Sequence, residues 1–155
     1  MVANVIRFAS LLLMALLVGT MFGIWLGFNP SGLTAATYVE QQQHAIRALN
    51  TLLPVLGAIC ILLTAALAAL TKDDKWARYL LVGAVLCLAA AGLITRFGNQ
   101  PINAVVITWS AQTPAANWME LRDTWWQWHI LRTTAGISAL VLALLAALGS
   151  RRHRS

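Results

Sequence analysis

Charge is what this chain has least of. Only 10% of its 155 residues are Asp, Glu, Lys or Arg, against about 25% in an ordinary soluble domain. With 59% hydrophobic residues and a mean hydropathy of +0.71, a water-soluble globule is excluded. Acidic residues are scarcer still, five against eleven Lys and Arg, for a net charge of +6. In a soluble chain that balance would suggest nucleic acid. Here the basic residues are few and divided among apolar blocks, so no nucleic-acid partner is expected and they read as topology signals. The two cysteines, Cys60 and Cys87, both lie inside apolar runs, which excludes a disulfide framework. There is no internal repeat or low-complexity linker, so residues 1–155 read as a single domain.

What the chain does have is long charge-free runs: Phe8 to Phe28, Ala48 to Thr71, Tyr79 to Thr95 and Thr133 to Ser150. A helix needs about 20 apolar residues to cross roughly 30 Å of hydrocarbon. The first run is longer than a signal-peptide core and reads as an uncleaved helix. The expected fold is therefore an all-α, integral membrane four-helix bundle with spans at about 8–28, 48–71, 79–95 and 128–149. Lys72, Lys75 and Arg78 in the second connection, Arg151, Arg152 and Arg154 in the tail, and Arg7 at the start predict one shared cytoplasmic side. Both termini are then expected inside, in a bacterial plasma membrane, with the tail against anionic lipid headgroups. Gly19, Gly23 and Gly27 recur every fourth residue, a ridge that would let another helix approach and could support a homo-oligomer.

Two helices are expected to extend beyond the bilayer on the outer side. Thr113-Pro114 reads as a cap and first-turn proline starting the fourth helix. Thr34 would cap a second helix running to about Leu70 and kinked at Pro54. Each would exceed about 50 Å at the 1.5 Å rise of an α-helix.

The polar residues collect on that side. Glu40, His44, Arg47 and Thr51 share one face by their spacing, as do Trp118, Arg122, Trp125, His129, Arg132 and Gly136. Between them Arg96 to Asn103 carries Gly98 and Pro101, which argue for a helix break exposing Asn99 and Asn103. Ionisable groups at membrane depth point to function. Glu40, His44 and His129 supply the two imidazoles and one carboxylate of open-sided iron sites, and copper would accept the same imidazoles. Each of His44 and His129 could equally hydrogen-bond a neighbouring helix, the two could ligate a haem from both faces, or they could act as a metal-free acid–base pair. Arg122 and Arg132 read first as partners of Glu40, Glu120 or Asp123, and otherwise as a fork for an anionic oxygen. Trp109, Trp118, Trp125, Trp126 and Trp128 suit an interfacial belt, and Trp118 and Trp125 could wall a pocket for a flat aromatic molecule.

The pattern Asn99-x-Pro101-x-Asn103, followed by Trp125-x-x-x-His129-x-x-Arg132-Thr133, resembles a widespread family of small four-helix membrane proteins. That family includes the fungal anthrone oxygenases, which convert anthrones to anthraquinones with molecular oxygen. The resemblance implies a membrane oxygenase acting on a small hydrophobic aromatic substrate that enters from the lipid. His129 or His44 would then remove the acidic C–H proton, and Arg132 and Asn103 would stabilise the enolate oxygen. Trp118, Arg122, Trp125 and Asn99 would form the substrate pocket. Two other classes stay open: a non-catalytic membrane module binding lipid, quinone, haem or a partner protein, and a transporter, for which no inverted repeat can be read.

Overall fold

The computed structural model describes residues 2–149, all-α with no strand among them. Helix α1 (Val2–Gly27) is followed by a 3₁₀ turn (Pro30–Gly32) and α2 (Ala35–Leu49). Then come α3 (Leu52–Leu70) and α4 (Lys75–Ile94), which continues through a π segment (Thr95–Asn99) into α5 (Gln100–Val106). Helix α6 (Trp118–Gly149) is the last described element. Four stretches are long and apolar enough to cross a membrane: Val2–Gly32, Leu52–Leu70, Lys75–Val106 and Trp118–Gly149. The protein is an integral membrane helix bundle.

The four long helices form a ring in which α1 packs on α3, α3 on α4, α4 on α6 and α6 back on α1. Inside it lie Met14, Leu17, Val18, Met21, Leu53, Cys60, Ala84, Leu88, Ala139 and Ala143. The inward stripe of α6 narrows to Gly136, Ala139, Ala143 and Ala146. Small residues let backbones approach closely, which matters in lipid, where association depends on van der Waals contact. Ser10 and Thr64 exchange a buried hydroxyl hydrogen bond of 2.9 Å across α1 and α3. Leucines such as Leu12, Leu62, Leu86 and Leu144 face outward, as a lipid-facing surface allows.

The structure departs from the sequence expectations in three places. The second helix is not one kinked rod: Thr34 caps α2, accepting from the Thr37 amide at 3.3 Å, but the helix stops at Leu49 and restarts at Leu52. Pro54 has no N–H to offer the Asn50 carbonyl, and its ring would clash there, so the interruption falls one turn upstream of the proline. The fourth helix starts at Trp118, after turns over residues 110–117, rather than at Thr113-Pro114. Gly98 and Pro101 cause no break. The chain widens into the π segment, where the Gln100 amide reaches back five residues to the Thr95 carbonyl, and the bulge admits the proline without ending the helix. The ridge of Gly19, Gly23 and Gly27 stays open: a Cβ on any of them would meet nothing within 4 Å. The basic tail Arg151 to Arg154 lies outside the described residues.

Candidate functional site

Helix α6 presents Arg122, Trp125, His129, Arg132, Thr133 and Gly136 to the interior, the face its spacing predicts. His129 is completely buried. Its Nδ1 accepts from Arg132 Nε at 3.2 Å and Nη2 at 3.0 Å. A guanidinium only donates, so Nδ1 is unprotonated and the proton sits on Nε2, which donates to the Met21 carbonyl of α1 at 3.1 Å. Trp125 stacks parallel on the imidazole at 5.2 Å between centroids, and Trp126 lies at 5.4 Å. His129 is thus a neutral ring with its tautomer fixed and both nitrogens engaged.

Arg132 is buried, 7% exposed. Among the described residues the ion pair of Arg122 Nε with Asp123 Oδ1, at 2.8 Å, is the one salt bridge. Arg122 therefore meets a carboxylate as expected, while among the described residues Arg132 has no carboxylate partner and no acceptor for Nη1. A buried cation without a counter-charge is costly, and sites that bind oxyanions or polarised carbonyls have that character.

Asn103 is the hub of a second network. Its Oδ1 accepts from Trp125 Nε1 at 2.8 Å and Gln42 Nε2 at 3.3 Å, and its Nδ2 donates to Asn50 Oδ1 at 2.8 Å. The indole is donor-only, which sets the orientation of the amide. Gln43 donates to the carbonyls of Val106, Ile107 and Trp109 at 3.1, 3.4 and 2.7 Å, tying α2 to the end of α5. Asn99 donates to the Trp125 carbonyl at 3.0 Å, and its Oδ1 is buried without a partner. Gln42, Gln43 and Asn50 were not singled out in the sequence. The run Gln41-Gln42-Gln43 in a chain this apolar was the available signal.

These networks border a cleft of about 780 Å³. Thr20, Gly23 and Ile24 of α1 form one wall, and Tyr38, Glu40, Gln42 and His44 of α2 another. Leu53, Pro54, Thr95, Asn103, Trp125 and Arg132 complete it. A smaller, mainly apolar cavity of about 220 Å³ shares Leu53, Pro54, Thr95 and Arg132 with it, so Arg132 stands between the two. Trp118, Arg122 and Asn99, expected in the pocket, do not line the cleft. Trp118 instead packs beside Tyr38, with ring centroids 6.0 Å apart, and under the Arg122 guanidinium at 5.0 Å. Burial pushes the Tyr38 hydroxyl up to about 12, against a smaller downward pull from Arg122 and an upward one from Asp123.

The expected ligand set does not form. Among the described residues no group of three or more His, Cys, Asp or Glu could hold a metal ion. Glu40 and His44 border the cleft but are exposed on α2, as is Arg47, because the apolar residues Tyr38, Val39 and Ile46, with Gln42, take the inward face. His129 has no free nitrogen for iron or copper, nor for a haem shared with His44.

A family model of anthrone oxygenase matches residues 43–142, nearly two thirds of the chain. The chain belongs to the anthrone oxygenase family. The matched stretch carries His44, Asn50, Asn99, Asn103, Trp125, His129 and Arg132. It omits α1 and the first half of α2, so this anthrone oxygenase family member builds part of its cleft from segments outside the shared region. No curated protein and no solved structure matches the chain.

Proposed function

We propose that the protein is a membrane oxygenase that oxidises a small, flat, apolar aromatic ketone of the anthrone type in the 780 Å³ cleft. The observation that carries this reading is Arg132, a buried guanidinium on the cleft wall with no carboxylate partner among the described residues. A carbonyl oxygen that becomes an enolate would supply the missing charge, and a preorganised donor in a dry site is most effective where charge develops. His44 also lines the cleft and takes the role of base. It removes a proton from the carbon opposite the carbonyl, the C–H electron pair moves to the carbonyl oxygen, and Arg132 holds that oxygen. The carbanion then adds dioxygen. Breaking the O–O bond leaves one oxygen on carbon as the new carbonyl and releases the other as water, so an anthrone and one dioxygen give an anthraquinone and one water. His129 acts through Arg132, because both its nitrogens are occupied.

Arg7 and Thr71, which precedes Lys72, line the same small cavity as Ala77 and Ala146. This gathering of basic segments at one end supports a cytoplasmic location for that end, with both termini inside a bacterial plasma membrane.

The test is anthrone oxidation by the protein in lipid nanodiscs under ¹⁸O₂. One labelled oxygen should enter the quinone, and Arg132→Gln should lower kcat by about 10²–10³-fold, the usual cost of one oxyanion donor. Wild-type turnover in Arg132→Gln would overturn the assignment. Absence of oxygen uptake with any such ketone would favour a lipid- or quinone-binding module.

A further inference from the structure

Trp125 fixes the orientation of three amides at once. Its indole Nε1 can only donate, and it donates to Asn103 Oδ1 at 2.8 Å. Gln42 meets that same oxygen at 3.3 Å, so it presents Nε2 there and keeps Oε1 as its free prong. Asn103 Nδ2 must in turn donate, and it meets Asn50 Oδ1 at 2.8 Å. Both ends of Asn103 are thereby used, while Gln42 Oε1 accepts from no group among the described residues. Gln42 is only 7% exposed, and a carbonyl oxygen so placed without a donor is rare. That oxygen is not sealed inside the protein: among the described residues the enclosed side-chain atoms without a partner are Tyr38 Oη and Asn99 Oδ1. The open space that Gln42 borders is the 780 Å³ cleft, and its partners Asn50, Asn103 and Trp125 line the same cleft. Asn50 is half-buried, so water can serve its own free Nδ2.

The same indole ties this network to the guanidinium. Arg132 Cζ stands 5.8 Å from the Trp125 ring centroid, and Trp125 stacks on the imidazole that holds Arg132. The cleft thus carries a cationic donor and a neutral acceptor, both linked to Trp125, among apolar residues such as Ile24, Ile46 and Leu53. We propose that Gln42 is a specificity-determining residue whose Oε1 accepts a hydrogen bond from an O–H group of the ligand, separate from the oxygen held by Arg132. This rests on the reading of the cleft as the substrate site and extends it. A neutral amide oxygen selects a donor: it attracts a hydroxyl, gains nothing from an ether, and is left without water or partner by a hydrocarbon edge. Because Asn103 and Trp125 hold the amide in place, the acceptor is set before the ligand arrives and little ordering cost attends the bond.

The experiment measures the affinity ratio of two matched probes, read by quenching of tryptophan fluorescence under anaerobic conditions. The probes are anthrones bearing either a hydroxyl or a methoxy group on an outer ring, away from the carbonyl, compared position by position. At one position wild type should prefer the hydroxyl compound by roughly tenfold, the worth of one buried hydrogen bond. Gln42→Met keeps the length of the side chain without its amide and should lose that preference. Gln42→Glu keeps an oxygen on the free prong and should retain it. A purely structural role for Gln42 would weaken both probes together, so an unchanged ratio in Gln42→Met would overturn the role of Gln42 alone, as would a wild type without the preference. Should Gln42→Met fail to fold, the ratio in Gln42→Glu decides: its retention upholds the assignment and its loss overturns it. Failure of both probes to bind wild type would overturn the substrate-cleft reading as well.

Discussion

Arg132 directs both Nε and Nη2 at the one Nδ1 atom of His129, at 3.2 and 3.0 Å. The consequence runs through two helices. The imidazole is locked as the Nε2–H tautomer by the Met21 carbonyl, and the guanidinium is locked by the imidazole. On the proposed reading, a histidine held in this way serves to position the Arg132 cation.

Replacing His129 separates the two roles. His129→Ala should lower turnover by about 10²-fold by freeing Arg132, and should lower stability by about 2–4 kcal/mol through a cavity and lost hydrogen bonds. His129→Gln keeps an acceptor for Arg132 and should recover at least about tenfold of the lost kcat. Steady-state kinetics of both variants checks this, and a glutamine variant as inactive as the alanine would count against positioning.

Asn103 joins α2, the break before α3, α5 and α6 through Gln42, Asn50 and Trp125. Asn103→Leu leaves three polar groups without their partner, each costing about 1–3 kcal/mol if it stays buried. Loss of several kcal/mol, with release of α2, should appear as a lower Tm and faster proteolysis near Asn50. A variant as stable as wild type would show that water replaces the amide.

Gly98 in the π segment packs under Trp128. A Cβ there would lie 2.6 Å from the indole, closer than non-bonded carbons approach. Gly98→Ala should cost about 1–3 kcal/mol by overpacking, and Trp128→Ala should relieve part of that cost. Melting curves of the two single variants and the double variant test the coupling.

Tyr38 predicts a pH dependence of stability. Its hydroxyl is raised from 10.0 to about 12 on folding. Between those values the folded protein keeps a proton that the unfolded chain has released, so this residue's contribution to stability falls as pH rises from about 10 toward 12 and is unaffected below 10. The stability difference between Tyr38→Phe and wild type should therefore grow in favour of the variant above pH 10. Parallel melting profiles across pH 8–11.5 would rule this out.

The inward stripe of α6 was legible because Trp125, His129 and Arg132 recur at helical spacing among apolar residues, and a helix repeats its face by itself. The polar face assigned to α2 was legible only in part, since Glu40 and His44 border the cleft but stay exposed. Spacing groups Glu40, His44 and Arg47 together but does not say which side meets the bundle, and Tyr38, Val39 and Ile46 won that side by apolar burial. The break at Asn50 depends on a proline four residues later, a backbone effect that a hydropathy profile does not register.

The all-α class, the four apolar stretches and the family motif were determined by the sequence alone, because they rest on composition and on relations between residues close in the chain. What each polar group does was decided only by the tertiary structure. Met21 stands 108 residues from His129 and Gln42 stands 61 from Asn103, and nothing local predicts that those atoms meet. The folded chain uses up both nitrogens of His129, leaves Arg132 without a carboxylate partner among the described residues and opens a cleft beside it. A hydrogen bond acts only over about 3 Å, so which groups are spent and which stay free to meet a ligand depends on how the helices pack.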